Sequence, residues 1–156
     1  MGRDRVSEIV CEVNRKRADG FNCAESTFYG VCRYLGVDMP VSCMTGFGGG
    51  LVGIGSVCGA VSGAICGLGI YIGRTEPGDE ESKARCKDLG QQIVQEFTSE
   101  MGALTCHDIL GFALDSEGGP EEDVKDNRKK TRCSAAVRIA LESAIRTIES
   151  DKQESK

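Results

Sequence analysis

The stretch Leu51 to Gly73, LVGIGSVCGAVSGAICGLGIYIG, carries no charged side chain from end to end. A segment that is apolar all round has to be covered on every side. Its many glycines and alanines leave little side-chain bulk, so neighbouring backbones can approach closely. The spacing predicts a helix from Ser56 to Gly73, innermost in the fold, with Cys58 near its start. A bilayer span is the competing reading, because Gly59-x-x-x-Gly63-x-x-x-Gly67 has the form of a helix-dimer face. Against it, Gly48, Gly49, Gly50, Gly53 and Gly55 make the preceding part a poor helix. The run also lacks the bulky residues of a span, and no Lys/Arg cluster flanks it. No membrane association is expected.

The rest of the chain reads as helices around this one. Val6, Ile9, Val10 and Val13 recur at helical spacing between Asp4 and Ala18. Asn22, with Glu25 three residues on, opens a second helix as a capping box, and Gly36 closes it. Val37 to Gly55 is a loop. Asp79 to Met101 is a fourth helix, ended by Gly102, and Thr105 caps a short one over TCHDILGFAL. Asp115 to Asp126 is acidic, holds Gly118-Gly119-Pro120, and reads as a mobile surface loop. Thr131 to Ile148 forms the last helix, with Val137, Leu141, Ala144, Ile145 and Ile148 on one stripe.

No strand pattern and no internal repeat appears. The expectation is a single all-α domain over residues 1–150, a helical bundle of about five helices around a Gly/Ala-rich centre. Residues 151–156 are expected to be a disordered tail. The aromatic content is 5% and Trp is absent, so the core is small and aliphatic. A net charge of −5 leaves no basic footprint for nucleic acid.

The chain has nine cysteines, an odd number, and the segment MGRDRVSEIV shows no apolar core of a signal peptide. A cytoplasmic, reducing location is the expectation. In that setting abundant cysteine points to metal binding or thiol chemistry rather than a disulfide framework. Four of the nine follow a capping residue by one or two positions: Cys23 after Asn22, Cys58 after Ser56, Cys106 after Thr105 and Cys133 after Thr131. A helix start offers unpaired N–H groups and the positive end of the macrodipole, which favour thiolate. Thiolate is the form that binds metal or attacks a disulfide. Cys11, Cys32, Cys66 and Cys86 lie mid-helix and read as core filler. Cys43, in the loop, is assigned neither way.

No Cys-x-x-Cys occurs, which disfavours a zinc ribbon or a thioredoxin-type dithiol, and no Cys-x-x-Cys-His is present for covalent haem. Gly48-x-Gly50-x-x-Gly53 has the dinucleotide spacing but lacks the strand and the βαβ context. His107, the sole histidine, is expected at the surface, because its neighbour Cys106 points elsewhere on the helix. Arg128, Lys129, Lys130 and Arg132 read as a solvated flank, or as a docking patch for an acidic electron-transfer partner.

The cysteine pattern resembles the C_GCAxxG_C_C family of small redox-active proteins. The resemblance rests on Asn22-Cys23-Ala24-Glu25, Gly46-Phe47-Gly48-Gly49-Gly50, Cys58-Gly59-Ala60-Val61-Ser62-Gly63, Cys106 with Leu110-Gly111, and Cys133. It extends over about Cys11 to Ala144 and implies a redox site on Cys23, Cys58, Cys106 and Cys133. The functional expectation is an electron-transfer protein holding an iron–sulfur cluster through these four cysteines. Zinc on the same thiols, as a structural or sensor module, and a metal-free thiol–disulfide protein are the alternatives. A redox partner protein is expected. The residues specify neither its identity, nor an oligomeric state, nor a substrate that would make the protein an enzyme.

Overall fold

The structure, a computed structural model, describes residues 2–111 and 127–156. Among them are six α-helices and one 3-10 helix. They run in the order α1 (Gly2–Ala18), α2 (Cys23–Leu35), the 3-10 helix (Val41–Phe47), α3 (Gly59–Ile72), α4 (Glu80–Met101), α5 (Cys106–Leu110) and α6 (Arg128–Glu154). The only β pairing among the described residues is an isolated bridge between Val57 and Thr105. The fold is therefore all-α, with the 3-10 helix and one further α-helix beyond the expected count. The acidic loop expected over 115–126 lies outside the described residues.

The uncharged run supplies the innermost helix. Ala60, Ala64 and Leu68 on α3 are fully buried, and the helix packs against α2, α4 and α6. Phe28 and Val31 of α2, Ile93 and Phe97 of α4, and Leu141, Ile145 and Ile148 of α6 close around it. Each such side chain contributes roughly 1.5–3 kcal/mol through removal of apolar area from water. The glycines of α3 set how near α2 comes. A Cβ added at Gly63 would stand 2.5 Å from the carbonyl oxygen of Ala24.

Two boundaries differ from expectation. α3 starts at Gly59 with Cys58 as its N-cap, because residues before it are held extended by pairing with residues 104–107. α6 starts at Arg128 and continues to Glu154, so residues 151–154, expected to be disordered, extend the last helix.

The reason is visible at Asp151, whose carboxylate is 7% exposed. It accepts hydrogen bonds from Arg85 at 2.7 and 2.8 Å and from the Tyr71 hydroxyl at 2.7 Å. Burial raises its proton affinity, but the hydrogen bonds from Arg85 and Tyr71 outweigh this and hold it below the usual aspartate range. The folded value is thus below the unfolded one. Its stabilisation is present above the ordinary aspartate range of about 4 and is lost as pH falls through the lowered value. Thermal melts of Asp151→Asn should therefore fall less steeply on acidification below about pH 4 than those of the parent protein. Parallel curves would contradict this account.

Candidate functional site

The starts of α2 and α3 and the short helix α5 meet at one end of the bundle. At α2, the Asn22 side chain accepts the Glu25 N–H, and Glu25 accepts the Asn22 N–H at 2.8 Å. The second Glu25 oxygen accepts the Thr45 hydroxyl at 2.6 Å, and the Asn22 amide donates to the Thr45 carbonyl. The capping box therefore ties the 3-10 helix to α2 and fixes the backbone at Cys23.

From the 3-10 helix the chain passes through the glycine cluster. Five successive residues, Gly49, Gly50, Leu51, Val52 and Gly53, have φ between 43° and 79°. Glycine takes that region freely, whereas Val52, with a branched side chain, is strained there. The glycine spacing that imitates a dinucleotide fingerprint is thus a left-handed turn, with no strand before it.

Gly55 to Cys58 then run antiparallel to Leu104–His107. The Cys58 N–H donates to the Leu104 carbonyl at 2.9 Å, and the Cys106 N–H donates to Ser56 at 2.7 Å. His107 donates to Gly55 at 3.2 Å. This short pairing sets Cys58 and Cys106 side by side, 6% and 8% exposed. Thr105 caps α5 by accepting the Asp108 N–H.

Two glycines let the cysteines gather. A Cβ at Gly59 would stand 2.5 Å from the Cys23 sulfur and 2.8 Å from the Phe47 carbonyl oxygen. One at Gly50 would stand 2.7 Å from the Cys106 Cβ. Cys23, half-buried, thus lies directly against the backbone that follows Cys58.

The acidity of Cys58 corrects a sequence expectation. Its thiol is pushed up to about 12 rather than lowered. Burial is the main cause and the neighbouring Cys23 adds to it. The Ala60 N–H pulls the other way, Cys106 pushes further up, and the Val61 N–H again opposes. The helix start is present, but desolvation outweighs it. A neutral, buried thiol alkylates slowly. On treatment of the folded, reduced protein with iodoacetamide, exposed Cys11 and Cys43 should be modified first and Cys58 last, with the order erased by denaturant. Peptide mass mapping reads the order, and early labelling of Cys58 would refute the assignment.

Cys133 lies in the second turn of α6, not at a helix start, because the helix opens at Arg128 rather than Thr131. It packs against Cys106 and Leu110. The adjacent Arg132 donates to the Ile109 carbonyl at 2.6 Å and to the Met101 carbonyl at 3.2 Å. It closes the ends of α5 and α4, so within the basic run Arg132 has a structural role. His107 is exposed and faces Asp108 at 3.4 Å.

The structure therefore brings Cys23, Cys58 and Cys106 together, with Cys133 beside Cys106. Among the described residues no group of three or more His, Cys, Asp or Glu side chains is arranged to hold a metal ion. The donor chemistry still suits a thiolate-bound group. Four thiols come from four helices, and the two glycine cradles keep the backbone close to them. The sequence anticipates close backbone approach at the glycines but not the pairing of residues 55–58 with 104–107, which no local spacing signals.

A family model described as "Putative redox-active protein (C_GCAxxG_C_C)" matches residues 21–146. No curated protein and no solved structure matches the chain. No described helix is long and apolar enough to cross a membrane.

Proposed function

The chain belongs to the C_GCAxxG_C_C family of redox-active proteins, and on that premise we propose that it carries electrons through an iron–sulfur cluster held by Cys23, Cys58, Cys106 and Cys133. The observation that carries this reading is the gathering of Cys23 and Cys106 around buried Cys58 at one end of the bundle. When bound, such a cluster supplies one-electron transfer. The chain's own part is to exclude water and to offer soft ligands. Burial of Cys58 and Cys106 does the first. For the second, Cys58 must release its proton on loading, which its raised proton affinity makes unfavourable until a cation is supplied. Among the described residues the four sulfurs are not gathered as a metal would need them, so these cysteines would have to come closer to hold such a cluster.

The second reading is a thiol–disulfide couple. It is favoured by the two thiol neighbours of Cys58, since a disulfide needs only a pair. Two thiols would then give up two protons and two electrons to an oxidant thiol–disulfide partner. Zinc on the same residues is a third arrangement, structural rather than redox.

Purification without oxygen, followed by measurement of iron, sulfide and zinc, separates the three. Iron with acid-labile sulfide and a brown colour is the expected result. Zinc in place of iron makes the module structural. Metal-free protein whose Cys58 cycles reversibly into a disulfide replaces the cluster with the thiol couple.

A further inference from the structure

Three thiols that the candidate site leaves unused, Cys32, Cys43 and Cys66, lie near one another on α2, the 3-10 helix and α3. Cys43 sits on the 3-10 helix, exposed, with its thiol donating to the Pro40 carbonyl at 3.2 Å. Cys66 is half-buried on α3. Both line one cavity of about 590 Å³, together with Met44, Phe47, Val61 and Ile65. No charged side chain lines that cavity. Cys32, 3% exposed on α2, packs with Met44, and Cys66 rests against the same cluster. The electrostatics agree with this placement. Burial and then Cys43 raise the Cys66 thiol, while burial, Cys66 and Cys43 push Cys32 up to about 11. The core-filler assignment therefore fits Cys32 but not Cys66, and Cys43 gains a partner.

We propose that Cys43 and Cys66 form a second thiol site, separate from the family cysteines, that binds one soft monovalent d10 cation, Cu(I), with the Met44 thioether as its soft neighbour. The chemistry of the wall selects the ligand. A hard cation needs carboxylates or several carbonyl oxygens, and the cavity offers no charged oxygen. Zinc needs three or four protein ligands, and no three such groups are arranged for a metal among the described residues. Cu(I) is selected by thiolate and thioether, and two thiolates are enough for it. Binding exchanges two thiol protons for the cation, giving a dithiolate complex and two released protons, with no change of oxidation state. Exposed Cys43 gives the ion access, and Phe47, Val61 and Ile65 line the cavity with apolar side chains.

The test is anaerobic titration of the metal-free protein with Cu(I) against a chromophoric Cu(I) chelator. One tight copper equivalent is expected to persist in Cys58→Ser and in Cys11→Ser. It should weaken on the order of a hundredfold in Cys43→Ser and in Cys66→Ser. Cys43 is exposed, so its replacement leaves the fold intact. A readout on the parent protein needs no variant: one equivalent of Cu(I) should protect Cys43 and Cys66, but not Cys11, from alkylation. Unchanged affinity in Cys43→Ser, loss of the equivalent in Cys58→Ser, or unprotected Cys43 in the copper-loaded protein would each overturn the proposal.

Discussion

Gly63→Val should lower the melting temperature by roughly 10 °C, the product of a packing loss of about 3 kcal/mol and the response of a domain of this size. The cause is backbone against backbone. A Cβ at Gly63 would meet the Ala24 carbonyl oxygen at 2.5 Å, the Phe28 nitrogen at 2.9 Å and the Thr27 Cβ at 3.1 Å. None of these can swing aside as a side-chain tip could, so α2 and α3 must separate. Separation would open the interface around Phe28 and Val31, both buried. The same helix supplies the control. Gly69 has nothing within 4 Å of its added Cβ, so Gly69→Ala should stabilise by up to about 1 kcal/mol through helix propensity. Thermal unfolding followed by circular dichroism measures both. Equal melting of Gly63→Val and the parent would show that the two helices do not approach as described.

On the proposed cluster reading, Cys58→Ser should remove the iron and the visible absorbance completely, with little loss of stability. Serine is nearly the same size, and the Cys58 N–H to Leu104 hydrogen bond is made by backbone, so the extended pairing survives. The oxygen is a poor ligand where a soft thiolate is required. Cys66→Ser, about two turns further along α3 and outside the ligand set, should keep its iron. Iron content and absorbance after anaerobic purification decide the matter. Retention of full iron by Cys58→Ser would remove Cys58 from the ligand set and with it the proposed site. Should the protein prove metal-free, the same variant should abolish the oxidant-induced disulfide.

Local signals in the chain predicted most of the architecture. Asn22 and Glu25 specify a reciprocal cap, and the structure contains it with the added Thr45 bond. Gly36 and Gly102 each end a helix in the left-handed conformation, as their positions imply, whereas Gly111 ends α5 inside the TCHDILGFAL stretch expected to be helical. Not all of the failures are local. Ser56 looks like a cap but is held extended by Cys106, fifty positions away in the chain, so Cys58 takes its place. Thr131 also looks like a cap, yet its hydroxyl donates to the Asn127 carbonyl inside a helix already under way. The clustering of Cys43 with Cys66 and Cys32 joins three different elements, and no spacing along the chain encodes that. The supposed acidity of Cys58 failed for a related reason, since burial is a property of the assembled bundle.

The bridge between Val57 and Thr105 also bears on the order of assembly. It joins the entrance of α3 to the exit of α4, closing an antiparallel helical hairpin whose own strands of sequence are contiguous. A hairpin of neighbouring elements closes at a smaller entropic cost than contacts between distant ones. Cys58 and Cys106 are therefore expected to become neighbours while the chain is still only partly folded, with Cys133 reaching them when α6 docks. The thiol pair is then a product of nucleation and the fourth ligand a product of completion. Pulse-labelling hydrogen exchange should find the Cys58 and Cys106 amides protected before those of α6, and simultaneous protection would count against this sequence of events.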